Sequence, residues 1–300
     1  MGNSSDILDF IGYEDDHQIY INFKPDAGPG EEFALSCLQD CISEIRLWML
    51  SNKLKINDSK TEFIILGGKR QLQKVTIQGL RVGDALISPS SNVRNLGFIF
   101  DQNLSMDHHV TKVCRTAYFH LHNIARIRKY LTHDAACSLV HAFITSQIDY
   151  CNSLLYGSPS YLIKKLQRVQ NSAARIVLCL KKFDHITQAL LQLHWLPVDL
   201  RIHFKVLLIV FKILNKMAPK YLEEMIEVPT NVRYNLRSRD DFKLFTPSFR
   251  CSTFGGRAFP VYAPRLWNQL PLQLRSQHSL AVFKQNLKTH LFTKFLSNCS

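Results

Sequence analysis

"IGYEDDHQIYINF", residues 11–23, sets three consecutive acids between two apolar runs. Ile7 to Tyr13 and Gln18 to Phe23 read as two short strands, with a tight turn on Glu14, Asp15 and Asp16. Adjacent carboxylates at a hairpin tip repel one another. Water screens that repulsion, so an acidic turn is the plain reading. A divalent-cation site is the other. Magnesium prefers hard oxygen ligands and takes one or two carboxylates together with substrate phosphates. A hairpin holding two carboxylates in fixed geometry suits the two-metal chemistry of nucleotidyl transfer. There one ion activates the attacking oxygen and the other steadies the leaving group.

Outward from the hairpin, "KPDAGPGEE" breaks the chain with two prolines and two glycines. A helix is expected from Glu31, because Leu35, Leu38, Ile42, Ile45 and Met49 recur at spacings of three and four. Strand-like runs follow in "TEFIILG", "KVTIQG" and "NLGFIF", with turn chemistry between them. After Asp101 the period becomes helical. One apolar stripe is Val110, Val113, Ala117, Leu121 and Ile124, and another is Leu139, Val140, Phe143, Ile144 and Ile148. "SPSYLIKKLQRVQNSAARIVL" continues as a helix with Ser160 as its expected N-cap and Leu162, Leu166, Val169, Ala173 and Ile176 on its apolar face. Lys164, Arg168 and Arg175 fall within about 40° of one another on the opposite side, at about 100° per residue. They form either an ordinary solvated face or a phosphate-binding stripe. From Val228 to about Pro271 the chain reads as irregular, with arginines interleaved among aromatics. Such a segment can grip phosphates and stack on bases, or pack as a layer on the helices. A last helix is expected from Ser279.

The chain of 300 residues carries a net charge of +13. Residues 1–66 hold 5 Lys/Arg and 12 Asp/Glu, or −7, and residues 67–300 hold 32 and 12, or +20. An acidic piece therefore precedes a strongly basic remainder, which favours a polyanionic partner. The eight cysteines are scattered. Only Cys37 and Cys41 lie close together, and no second pair completes a zinc site. Reduced thiols inside the cell, in nucleus or cytoplasm, are the expectation. No apolar run approaches the roughly 20 residues of a membrane span.

Three stretches, "GYEDDHQIYINFKPD", "WMLSNKLKINDSKTEFIILG" and "NLGFIFDQNLSMDHHV", follow one another in an order and spacing that resembles reverse transcriptases of non-LTR (LINE-type) retrotransposons, above all the chicken-repeat-like and jockey-like branch. "LQRVQNSAARIVL", "LHWLPVDLRIHFK", "APKYLEE" and "APRLWNQLP" resemble the region these elements carry after the polymerase. The resemblance implies a fold and a site. Tyr13, Glu14, Asp15 and Asp16 match the Tyr-x-Asp-Asp box, which makes Asp15 and Asp16 catalytic residues and ligands of Mg2+. Glu14 departs from the small or apolar residue usual at x. Lys60, in "NDSKTE", matches a lysine expected near the phosphates of the incoming nucleotide. "NLGFIF", beginning Asn95, Leu96, Gly97, looks like the strand that grips the primer terminus.

The expected fold is α+β. A partial polymerase palm spans residues 1–102, a helical thumb-like region 103–155, and a mostly helical basic C-terminal region 156–300. RNA template and DNA primer are the implied partners. The third metal-binding aspartate and the fingers precede the box in this family, so the sequence reads as the C-terminal portion of such an enzyme, inactive alone. A non-catalytic basic nucleic-acid-binding module, using Lys164, Arg168 and Arg175, is the alternative.

Overall fold

A computed structural model describes residues 9–13, 16–25, 28–228, 242–249 and 254–297. The chain divides into two compact units, residues 1–109 and 110–300. The expected regions 103–155 and 156–300 thus share the second unit almost entirely. The class is α+β, with three two-stranded antiparallel sheets and long helices among the described residues.

The first unit opens with β1 (Asp9–Tyr13) and β2 (Asp16–Tyr20), paired so that Tyr13 faces Asp16 and Asp9 faces Tyr20. Asp16 therefore belongs to the second strand and not to the turn, and that strand begins two residues earlier than its apolar pattern implied. Helix α1 (Pro29–Ser51) follows. Its Leu35, Leu38 and Ile42 meet Ile19 and Ile21 of the hairpin segment together with Phe63, Leu80, Val82 and Ile87. The short helix α2 (Lys69–Leu72) leads to the hairpin β3 (Leu80–Val82) and β4 (Ala85–Ile87), and β5 (Asn92–Asn95) pairs with β6 (Phe98–Asp101).

Two expected strands are absent from these sheets. In "KVTIQG" the backbone N–H and the hydroxyl of Thr76 both donate to Glu31 Oε2 of α1, at 3.0 and 2.8 Å. A helix side chain takes the donor that a neighbouring strand would have used. "TEFIILG" lies along the third hairpin through isolated bonds only: Ser90 N–H to Phe63 O at 2.7 Å and Gly67 N–H to Gln102 O at 2.9 Å.

The second unit is helical. Its elements are α3 (Asp107–Ile127, whose first turn counts with the first unit), α4 (His133–Val140), a π-helical turn at His141–Thr145, α5 (Ser146–Asp149), α6 (Ser160–Val177), α7 (Ile186–Gln192), α8 (Val198–Leu214), α9 (Lys220–Glu223), α10 (Phe259–Asn268), α11 (Leu272–Arg275) and α12 (Leu280–Ser297). Their shared core gathers Val206, Leu207, Val210 and Phe211 of α8, Leu266 and Trp267 of α10, and Phe283, Leu287 and Leu291 of α12. Each such side chain, fully enclosed, contributes about 1.5–3 kcal/mol. Phe211 and Phe283 stack with ring centroids 4.3 Å apart.

Three further expectations change. Ser160 is the first helical residue of α6 and Pro159 holds the cap position, with no side-chain cap bond. Phe143 is exposed although Val140, Ile144 and Ile148 of its stripe are buried, because the π turn shifts the helical phase beneath it. The stretch expected to be irregular contains α10. Its Pro260 lies in the first turn, where no intrahelical donor is needed, and its interior Pro264 removes one bond that buried Val261, Tyr262, Leu266 and Trp267 offset. Trp267 Nε1 donates to Phe242 O at 2.9 Å, and the Asn268 side chain exchanges two 2.8 Å bonds with the backbone of Leu244. The part of that stretch at residues 229–241 and 250–253, with several of its arginines, lies outside the described residues.

Among the described residues four helices end alike. After α1, α6, α7 and α8 the residue two past the helix is left-handed, with φ of 60° at Lys53, 55° at Cys179, 53° at His194 and 57° at Lys216. The next N–H reaches back to the carbonyl five residues earlier: Leu54 to Met49, Leu180 to Arg175, Trp195 to Leu190, Met217 to Lys212. This is the Schellman arrangement, in which glycine is the usual left-handed residue. A side chain there is strained by about 1–2 kcal/mol. Cys179→Gly and Lys216→Gly are each expected to raise the unfolding free energy by about 0.5–1.5 kcal/mol in urea titrations, net of the greater chain entropy of glycine. Cys179→Ala should give no gain.

Candidate functional site

The acidic box is the start of the candidate site. The β1–β2 register puts Asp16 opposite Tyr13, with Glu14 and Asp15 between them in the chain. Glu14, Asp15 and the Asp16 side chain lie outside what the structure describes. By donor type the box fits magnesium, since it offers hard carboxylate oxygens and neither sulfur nor imidazole. Among the described residues no group of three or more His, Cys, Asp or Glu could hold a metal ion.

Lys60 ends a short 3-10 turn, Asp58–Lys60, and is exposed. The turn is held to α1 by Arg46, whose guanidinium donates to Asp58 Oδ1 at 2.7 Å. Two residues on, Glu62 Oε2 accepts from the Arg94 N–H at 3.3 Å. The lysine-bearing segment is therefore tied to the β5–β6 hairpin, one residue short of Asn95. None of these contacts reaches Asp16.

Asn95, Leu96 and Gly97 do not lie along one strand. Asn95 ends β5 and pairs with Phe98, the first residue of β6. Leu96 and Gly97 form the connecting turn with φ of 44° and 84°. Two successive positive φ values mark the turn that matches strand twist best, and Asn-Gly is its usual sequence. Glycine meets that demand at position 97. At 96 a leucine takes the strained conformation instead, and its side chain is 44% exposed at the hairpin tip.

Beneath the hairpin is a residue whose role sequence reasoning missed. Asp101, the last residue of β6, is buried and accepts four hydrogen bonds. Oδ1 takes the N–H groups of Asn103 and Ser105 at 3.1 and 2.9 Å, and Oδ2 takes Ser105 Oγ–H and Met106 N–H at 3.0 and 2.8 Å. They fold the loop before α3 into a knot in which Leu104 and Met106 both adopt positive φ. His109, in the first turn of α3, stacks on Phe98 with centroids 3.7 Å apart. An acid closing an apolar strand and followed by Asn and Ser is the signal that would have found it. Burial opposes ionisation of Asp101, but the hydrogen bonds outweigh it and hold the carboxyl below its ordinary value.

In the second unit, Lys164 and Arg168 are exposed on α6, opposite buried Leu162, Leu166, Val169 and Ala173. Arg175 is half-buried, and its Nε is enclosed without a hydrogen-bond partner. The stripe exists on the helix, but only two of its three cations face water freely. Among the described residues no helix is long and apolar enough to cross a membrane. No protein-family model matches the chain, and neither a curated protein nor a solved structure does.

The depressed carboxyl of Asp101 sets a pH dependence. Its folded value lies below the unfolded one of about 3.9, so its stabilisation is complete above that value and is lost as pH falls through the folded value. Asp101→Asn keeps the shape but loses charge and one acceptor oxygen. It is expected to cost about 2 kcal/mol at neutral pH and to flatten the acid limb of a thermal-melt series from pH 7 to 3.

Proposed function

We propose that these 300 residues are the Tyr-x-Asp-Asp-bearing and C-terminal part of an RNA-directed DNA polymerase of the non-LTR retrotransposon type. The observation that carries the proposal is the β1–β2 hairpin, whose register pairs Tyr13 with Asp16, with Glu14 and Asp15 between them in the chain. The tie between the Lys60 segment and Arg94 of β5, next to the Asn95–Gly97 turn, supports it. In this reading the first unit is palm, and Asp15 and Asp16 hold Mg2+. Magnesium, when bound, stabilises charge on the attacking and leaving oxygens. Lys60 orients the phosphates of the incoming nucleotide. The β5–β6 turn positions the primer end, with Leu96 as its projecting tip.

The family's third aspartate and its fingers precede the box, so the 300-residue polypeptide alone is expected to extend no primer on an RNA template with deoxynucleotides and magnesium or manganese. Extension above a contaminant control would overturn that. Joined to the preceding region of a close relative, Asp15→Ala should nearly abolish extension and Asp16→Ala should impair it. Glu14→Ala should be neutral or favourable, since it removes excess charge beside the metals. Equal damage from Glu14→Ala and Asp15→Ala would mean that the cluster is only an acidic turn.

A second reading, a nucleic-acid-binding module without chemistry, is favoured by the charge of the second unit. Residues 150–183 contain six Lys/Arg and no Asp or Glu. Binding by Lys164, Arg168 and Arg175 would release counterions, and with about three phosphates engaged the affinity falls roughly fortyfold between about 50 and 200 mM salt. Fluorescence anisotropy with a labelled RNA duplex is the measurement. Replacing the three cations together should reduce the salt slope by about 3. A flat response would leave them as solvated surface.

A further inference from the structure

At the C-terminal end of α6 the chain turns sharply through Lys181, Lys182, Phe183 and Asp184. Asp184 closes this turn from both sides: its Oδ2 accepts the Lys181 N–H at 2.7 Å, and its own N–H donates to Lys181 O at 3.3 Å. Between the closing residues, Phe183 is 89% exposed, the most exposed large apolar side chain among the described residues. Lys182 Nζ lies 5.7 Å from its ring centroid. A phenylalanine left in water forgoes the burial energy that usually places it in a core. Here a side-chain-closed turn presents it together with two lysines.

The chain leading into the turn is cationic. The turn ends the acid-free stretch 150–183, and Asp184, its first acid, is engaged by backbone. Lys164, Arg168 and Arg175 run up α6 over about 16 Å. At the other end of the stripe Tyr161 is exposed, with Lys165 Nζ 5.5 Å from its ring centroid. The C-terminus of a helix carries partial negative charge, which would repel phosphate. That charge is covered, because Arg128 donates to Ile176 O at 3.0 Å and Val177 O at 2.8 Å.

We propose that the exposed face of α6 and the Lys181–Asp184 turn bind single-stranded nucleic acid, with phosphates on Lys164, Arg168, Arg175, Lys181 and Lys182 and an unpaired base stacked on Phe183. The cations alone would serve a duplex equally well. The exposed ring separates the two, since duplex bases are already stacked on each other and offer no free face, whereas bases of a single strand do. This rests on the reading of the second unit as a nucleic-acid binder and assigns the form of the strand.

The test uses the full chain and labelled strands of about 20 nucleotides: oligouridylate, oligodeoxythymidylate and an RNA duplex of equal length. The single strands should bind more tightly than the duplex. Phe183→Ala should weaken both single strands by about tenfold and leave the duplex unchanged, while Phe183→Trp should retain affinity and show emission quenched on binding. Lys164, Arg168 and Arg175 replaced together should weaken all three probes. If Phe183→Ala leaves single-strand affinity intact, or acts only on binding to phosphatidylserine vesicles, the stacking proposal falls while the binder reading stands. If the wild-type chain binds none of the three probes at low salt, the binder reading falls with it. Circular dichroism of each variant confirms that the helices are unchanged.

Discussion

Helix α8 runs through the middle of the second unit, and its first turn is fixed by side chains from two other helices. Gln167 of α6 accepts the Val198 N–H at 2.9 Å, and Gln170, buried beside it, donates to Leu196 O at 2.8 Å. Arg201, one turn further on, forms a two-pronged ion pair with Asp149 of α5, Nε to Oδ1 at 2.8 Å and the second nitrogen to Oδ2. The first N–H groups of any helix lack intrahelical partners. Here one of them is satisfied by an amide that simultaneously orders the "HWLPV" turn. A buried amide is costly unless its bonds are made, and Gln170 makes them by donating to Leu196 O and by accepting from the Gln167 amide at 2.9 Å. The positions of α10 and α12 follow, because both pack on α8.

These bonds also account for a pattern of residues far apart in the chain. "LQRVQNSAARIVL" and "LHWLPVDLRIHFK" are two halves of one contact, joined by Gln167 and Gln170. "SQIDY" is joined to the second of them by Asp149. These segments hold the helices together, so packing accounts for their residues before any chemistry does.

What the sequence disclosed followed periodicity. Leu162, Leu166, Val169 and Ala173 were legible as one buried face of α6 because α-helical spacing leaves no other place for them. Helix ends were not, because the left-handed residues that close four helices are Lys53, Cys179, His194 and Lys216, and none is the glycine that marks such an end. The third hairpin was hidden for the same reason, with Leu96 standing where asparagine is expected. "KVTIQG" has a strand's composition, yet its Thr76 is claimed by Glu31 across 45 residues, a non-local bond that no window can detect. Of the candidate site, the acidic box and the exposure of Lys60 could be read directly. Asp101 was missed although Asn and Ser follow it as turn chemistry, because the four donors it gathers come together only once the loop is folded.

The π turn at His141–Thr145 has a consequence for how this part of the chain tolerates length change. It lies inside a continuous helix from His133 to Asp149 and holds one residue more than an α-helical path would need. Deleting a single residue there would let the helix close as pure α with its two halves still in phase, because the wide turn is what absorbs the extra residue. Ile148 would stay in the core and Asp149 within reach of Arg201, whereas the same deletion in the α-helical turns on either side would rotate everything after it by about 100°. An insertion or deletion elsewhere on the surface changes a loop. In this helix the outcome depends on where the residue is lost, so the wide turn is a tolerance for one residue built into an otherwise fixed spacing between Ala136 and Asp149.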